Sequence, residues 1–176
     1  MEERMEKELL ISKEMIQKRV KELASEIARD HQGKDTVLVG ILKGAVFFFC
    51  DLARELDIQV GIDFLRAASY GPSSSSSGTI TLTKDVETPL EGKSVVLVED
   101  IIDTGLTMSR ILEELKRKKP SEVKVCVLLD KPERREIEVQ VDYCGFRVEG
   151  GFVVGYGLDY DEQYRNLSEI FVLKGI

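Results

Sequence analysis

The stretch VVLVEDIIDTGLT, Val95 to Thr107, sets the architecture of this chain. With Ser94 before it, its apolar half reads as a strand, SVVLV, buried on both faces as the strands of a parallel sheet are. Three carboxylates follow, Glu99, Asp100 and Asp103, then Thr104, Gly105, Leu106 and Thr107. From Thr107 to Lys118 the spacing of Met108, Ile111, Leu112 and Leu115 predicts a helix with those residues on its inner face. In open α/β sheets ligands bind at the carboxyl ends of the strands. A helix N-terminus offers free N–H groups and partial positive charge, which suits a phosphate. Gly105 allows the backbone close to the anion, and the Thr104 and Thr107 hydroxyls can add hydrogen bonds. No Gly-Lys-Ser/Thr closes the turn, so it is not a P-loop.

Three acids beside a phosphate repel it unless something offsets their charge. Two partners do so: polyol hydroxyls, which donate to carboxylates, and a divalent cation held through oxygen. Glu99 and Asp100 holding a ribose diol fits both. Asp103, next to the helix start, suits a proton acceptor or donor.

Outward from this segment, strands alternate with helices. Ser12 caps a helix whose inner stripe is Ile16, Val20, Leu23 and Ile27, with Gly33 as its stop. Val37 to Leu42 is a buried strand. Gly44 opens a helical stretch through Leu56, with Phe48, Leu52 and Leu56 on one stripe. Ile58 to Leu65 alternates as a half-buried strand, with Ile58, Val60, Ile62 and Phe64 facing inward. Val123 to Leu129 is a further core strand, and shorter strands follow at Phe152 to Val154 and Ile170 to Leu173. This order predicts an α/β domain with a mostly parallel sheet. Between Phe64 and Ile80 lies SYGPSSSSSGT (69–79), with six Ser, two Gly and one Pro. That composition predicts a long mobile loop inside one domain, of the kind that serves as a lid.

The 176 residues favour one domain, residues 1–176, large enough to bury a core without disulfides. The 32 acidic and 25 basic side chains leave a net charge of −7. That balance disfavours a nucleic-acid coat or an anionic membrane surface. No apolar run approaches the ~20 residues of a membrane span, and the charged N-terminus resembles no targeting signal. The three cysteines, Cys50, Cys126 and Cys144, are widely spaced in apolar settings. They read as buried, reduced thiols of a cytoplasmic protein. His31, the single histidine, reads as a surface residue at a helix end. KRKK (116–119) complements a helix C-terminus rather than a nucleic acid.

Residues 95–107 resemble the signature of the type I phosphoribosyltransferases. LKGA (42–45), SYG (69–71), DKPERR (130–135) and FVVGYGLDYDEQYRNL (152–167) are similar to the hypoxanthine-guanine branch of that family. The resemblance runs in family order from about Val37 to Leu173. It implies the type I phosphoribosyltransferase fold: a mostly parallel central sheet flanked by helices, a long mobile loop, and a small hood. The hood would come from the N-terminal segment and about 130–170. It implies transfer of ribose 5-phosphate from phosphoribosyl pyrophosphate to a 6-oxopurine such as hypoxanthine or guanine, with Mg2+ as cofactor. A homodimer or homotetramer is implied as well.

The resemblance also assigns roles. Thr104, Gly105, Leu106 and Thr107 cradle the 5-phosphate. Glu99 and Asp100 hold the ribose hydroxyls, directly or through magnesium. Asp103 is the general acid/base at the purine nitrogen opposite the attacking one. Lys43 and Gly44 bind pyrophosphate through a Lys-Gly peptide that is often cis, Arg165 binds it too, and Asp159 holds a second magnesium. Lys131 reads the exocyclic oxygen of the base, Phe152 stacks on it and the Val153 backbone reads its other edge. Ser69 and Tyr70 belong to the loop that closes over the site and excludes water from an oxocarbenium-like transition state. One departure stands out: many relatives carry Asp-Lys where this chain has Gly150 and Gly151, which bears on the balance among hypoxanthine, guanine and xanthine. The alternative is a regulatory protein that senses phosphoribosyl pyrophosphate on the same fold. Such a protein calls for a basic patch or an added module, and the chain shows neither.

Overall fold

The computed structural model describes residues 5–69 and 80–176, so Tyr70 and most of the Ser-rich segment lie outside the described residues. In chain order the elements are β1 (Lys7–Ile11), α1 (Lys13–His31), β2 (Thr36–Ile41), α2 (Val46–Glu55), β3 (Gly61–Ser69) and β4 (Ile80–Lys84). Then come β5 (Ser94–Ile102), α3 (Leu106–Arg117), β6 (Glu122–Asp130), a 3-10 turn (Pro132–Arg134), β7 (Tyr143–Arg147), β8 (Phe152–Val154) and β9 (Ile170–Leu173). Six strands form the central sheet in the order β4-β3-β2-β5-β6-β7, all parallel except the β3–β4 pair. A separate antiparallel sheet, β1-β9-β8, forms the hood. β7, although it lies within 130–170, joins the central sheet instead.

Alternation along each strand splits the core in two. On one face Leu38, Val96, Val98 and Leu128 pack with Ile16, Val20, Leu23 and Ile27 of α1 and Phe48 and Leu52 of α2. On the other, Val37, Val39, Val95, Leu97, Val125 and Val127 pack with Met108, Ile111 and Leu115 of α3. Each fully buried side chain of this size contributes about 1.5–3 kcal/mol. Burial on both faces is why these strands read as unbroken apolar runs. Ser12 caps α1 as expected, its Oγ accepting from Met15 N at 3.2 Å.

Four expectations need correction. β3 begins at Gly61, paired with Val37, and Ile62 faces solvent while Asp63 and Leu65 turn inward. Asp63 is tolerated inside because its carboxylate accepts from Phe64 N, Glu87 N and Thr88 N at 2.7–2.8 Å. His31 is buried, not a surface residue. It lies four residues beyond Ile27, on the same inner stripe, and its Nδ1 is 2.9 Å from Ile27 O. The second helix starts at Val46 rather than at Gly44, which sits in the turn before it. Of the cysteines only Cys126 is buried, since Cys50 is exposed and Cys144 half-buried. Beyond these, β1 has no counterpart in the apolar pattern, since KELLI is charged and largely exposed; it is held by pairing with β9.

Candidate active site

β5 pairs with β2 only as far as Val98 opposite Gly40, but with β6 as far as Ile102 opposite Asp130. Glu99 and Asp100 therefore belong to β5 itself, on the part that overruns its neighbour, rather than to a loop after it. The turn after β2 fills the vacated edge. Leu42 N still bonds the ladder at Leu65 O (2.9 Å), whereas Ala45 N folds back on Ile41 O (3.2 Å). The chain thus reverses immediately after Leu42, and the cis peptide is Leu42–Lys43, one bond before the expected Lys43–Gly44.

Gly44 is required by its neighbour. A Cβ there would lie 1.9 Å from Asp100 Oδ2, so the carboxylate occupies the side-chain space of residue 44. Glu99 and Asp100 are half-buried. Burial and the Asp100 charge hold the Glu99 carboxyl well above the usual range. Burial raises Asp100 too, opposed by hydrogen bonds and by the Arg165 charge. Two adjacent oxygen-donor groups that resist ionisation together are suited to sugar hydroxyls or a hard cation.

The hood delivers the positive charge. Arg165 donates to Gly157 O (2.7 Å) and pairs with Asp159 (3.0 Å) and Glu162 (2.9 Å), while its buried Nε has no partner among the described residues. Lys43 Nζ reaches Glu162 at 2.6 Å. Tyr156, Asp161, Glu162 and Tyr164 all have φ between 49° and 74°. Left-handed backbone is sparsely populated by such residues and gathers where a surrounding structure enforces it, commonly at ligand clamps.

On the other side of Asp100, Gly105 adopts φ +87° and opens α3 with no side-chain cap. Gly105 itself caps no first-turn amide, and a helix start of this kind suits an anion. Thr107 is exposed, and Thr104 Oγ1 accepts from Leu106 N at 3.4 Å. Asp103 Oδ1 lies 3.2 Å from Arg134 Nε. Lys131 is buried, donating from Nζ to Gly151 O (2.7 Å) and from its backbone N to Ile102 O (3.0 Å). Burial lowers its ammonium, opposed by the nearby Asp103 charge. Phe152 is 45% exposed and meets Tyr160 edge-on at 5.4 Å, whereas Val153 is buried in the hood. A ring this exposed is not part of the core and is free to stack on a planar group.

The turn before α3, the paired acids and Lys131 thus gather at the carboxyl ends of β2, β5 and β6, with Arg165 and Phe152 supplied by the hood. Ser69 ends β3, and Tyr70 lies outside the described residues. The phosphoribosyl transferase domain family matches residues 7–161. The chain belongs to that family.

Phosphoribosyltransferase relatives match it along nearly its whole length. The hypoxanthine-guanine phosphoribosyltransferase of Bacillus subtilis (strain 168) is 46% identical over 166 residues, covering 94% of this chain and 92% of the relative. That of Aquifex aeolicus (strain VF5) is 48% identical, covering 94% of each. The hypoxanthine-guanine-xanthine phosphoribosyltransferase of Tritrichomonas foetus is 44% identical, covering 94% and 91%. A solved hypoxanthine phosphoribosyltransferase from Staphylococcus aureus superposes with TM-score 0.92 at 42% identity, covering 95% and 91%. The expected α/β fold with its mostly parallel sheet is thereby shown.

Sequence reasoning gave no role to Arg134, Arg135 or Gly157. Gly157 has φ +102°, and a Cβ on it would lie 2.0 Å from Gly44 O, so hood and sheet touch there through backbone alone. The two arginines stood in the DKPERR motif, but nothing in a run of charges says which group each one reaches.

Proposed function

We propose that this chain is a purine-salvage transferase that moves ribose 5-phosphate from phosphoribosyl pyrophosphate to hypoxanthine and guanine, releasing pyrophosphate. The observation that carries the proposal is the convergence just described. An uncapped helix start, two half-buried acids and a buried lysine beside an open aromatic ring share one sheet edge. The enzyme names of the relatives support it, and nothing favours the regulatory alternative.

The amides of Thr104 to Thr107 bind the 5-phosphate. Glu99 and Asp100 accept from the ribose hydroxyls. Lys43, Gly44 and Arg165 hold the pyrophosphate, the Arg165 fork suiting phosphate oxygens. Phe152 stacks on the base, the Val153 backbone reads one edge, and Lys131 donates to the exocyclic oxygen. An adenine amino group cannot accept that bond. As the bond from the sugar carbon to pyrophosphate breaks and the bond to the purine nitrogen forms, Asp103 takes the proton from the opposite ring nitrogen.

The acids fit magnesium by donor type, since it prefers oxygen ligands. Among the described residues no group of three potential ligands is close enough to cage a cation. One ion would therefore be held by Glu99 or Asp100 on the sugar side and a second by Asp159 on the pyrophosphate side, with substrate oxygens completing each shell. When bound, it neutralises charge on the leaving pyrophosphate. No helix among the described residues is long and apolar enough to cross a membrane. A cytoplasmic location and a homodimer or homotetramer belong to the same proposal.

The test is nucleotide formation from hypoxanthine, guanine, xanthine and adenine, with and without magnesium. The account expects magnesium-dependent product from hypoxanthine and guanine and none from adenine. Adenine as the preferred base, or no product from any base, would overturn it.

A further inference from the structure

We infer that Arg135 is a positioning residue that sets the peptide planes of the 5-phosphate turn. The inference rests on the transferase reading above and deepens it.

Arg135 follows the 3-10 turn, and its side chain is about nine-tenths buried. One end of its guanidinium pairs with Asp130, the last residue of β6. Its Nε donates to the backbone carbonyl of Asp103 at 3.1 Å. Directly after it, Glu136 N and Ile137 N both donate to Thr104 O, at 2.8 and 3.1 Å. In a trans peptide the carbonyl and the following N–H point to opposite sides. Anchoring the Asp103 and Thr104 carbonyls to the 135–137 segment therefore turns the N–H groups of Thr104 and Gly105 away from it. Those are the donors a phosphate in the turn would use.

Packing reinforces the arrangement. A Cβ on Gly105 would meet Ile137 O at 2.4 Å and Arg135 Cδ at 3.0 Å, so the turn lies flat on the arginine stem. Lys131, four residues before Arg135, is bonded to Ile102 O just ahead of the same turn. The residue proposed to read the base and the one that orients the phosphate donors thus hang from the same end of β6. A buried ion pair is weak evidence for stability. Its use here is orientation, and only a guanidinium supplies it, since it presents several donors in a fixed plane.

The test compares the full chain with Arg135→Lys and Asp130→Asn. Lysine keeps a positive charge near Asp130 but lacks the rigid planar fork that holds Asp130 and the Asp103 carbonyl through separate nitrogens. Asparagine keeps an acceptor but removes the charge that holds the guanidinium. Calorimetric affinity for phosphoribosyl pyrophosphate, its KM, the KM for hypoxanthine and the melting temperature are measured for each. The inference expects both variants to lose about tenfold in affinity and KM for the sugar phosphate, with the base KM changing less than about twofold. Melting should move by less than about 4 °C in Arg135→Lys and fall further in Asp130→Asn, which leaves the guanidinium buried without its counter-charge. Native-like affinity in Arg135→Lys would overturn it, and so would an affinity loss that merely tracks melting temperature. Should the native chain itself bind no phosphoribosyl pyrophosphate, the transferase reading falls first, and the positioning role with it.

Discussion

Asp103 and Lys131 lie close enough for their charges to act on one another, yet substitutions at the two have separable effects. Asp103→Asn keeps the shape and removes the group proposed to accept the proton. It should lower turnover about 10²- to 10³-fold while phosphoribosyl pyrophosphate affinity, measured by calorimetry, changes little. Equal losses in both would remove the proton-transfer role. Lys131→Met removes the ammonium proposed to donate to the exocyclic oxygen of the base. It should lower kcat/KM for hypoxanthine about 10²-fold, with little change in the KM for the sugar phosphate. At this scale the sequence was readable where a residue type is rare in its setting, as with acids at a strand end. It was unreadable where the partner is a backbone carbonyl far along the chain, as with Arg135, or where a helical stripe runs one step further than its apolar members, as with His31.

Asp63 governs the element that precedes the undescribed segment. Burial alone would raise its carboxyl, but backbone N–H donors from Thr88, Phe64 and Glu87 more than offset that and hold it below the usual range. A carboxyl lowered on folding stabilises the protein above its unfolded value of about 4. The contribution is lost as pH falls through the lower folded value. Urea unfolding should thus show native stability falling below about pH 4, with the fall reduced in Asp63→Asn. That variant should itself cost about 1.5–3 kcal/mol at pH 7. Strand positions were legible wherever both faces are apolar, and β8 and β9 match their expected bounds. At the start of β3, Val60 and Phe64 pack on the core as the alternation expects, but Ile62 is exposed and the opposite face is buried too. That second face stays hidden in the sequence because a satisfied inward carboxylate at Asp63 looks polar in an alternating pattern. β5 was read too short because acids at its end look like a loop until the longer pairing with β6 is seen.

At the scale of the molecule, the site exists only where the hood meets the central sheet. Gly157 is the backbone contact between them, and Gly157→Ala adds a Cβ 2.0 Å from Gly44 O at a φ that side chains rarely adopt. The expected result is a pyrophosphate KM, measured in the reverse reaction, raised at least about tenfold, with the central sheet still folded by circular dichroism. An unchanged KM would detach the hood from pyrophosphate binding. The alternation of strands and helices made the central sheet predictable, but the hood was not fully so. Its three strands come from distant parts of the chain, and β1 is charged, so neither periodicity nor composition joins them.

The most direct measurement is a crystal structure of the chain with a purine nucleoside monophosphate. The account predicts the phosphate against the amides of Thr104 to Thr107, the ribose hydroxyls on Glu99 and Asp100, and the base on Phe152 within reach of Lys131. A nucleotide bound elsewhere, with the turn between β5 and α3 empty, would contradict it.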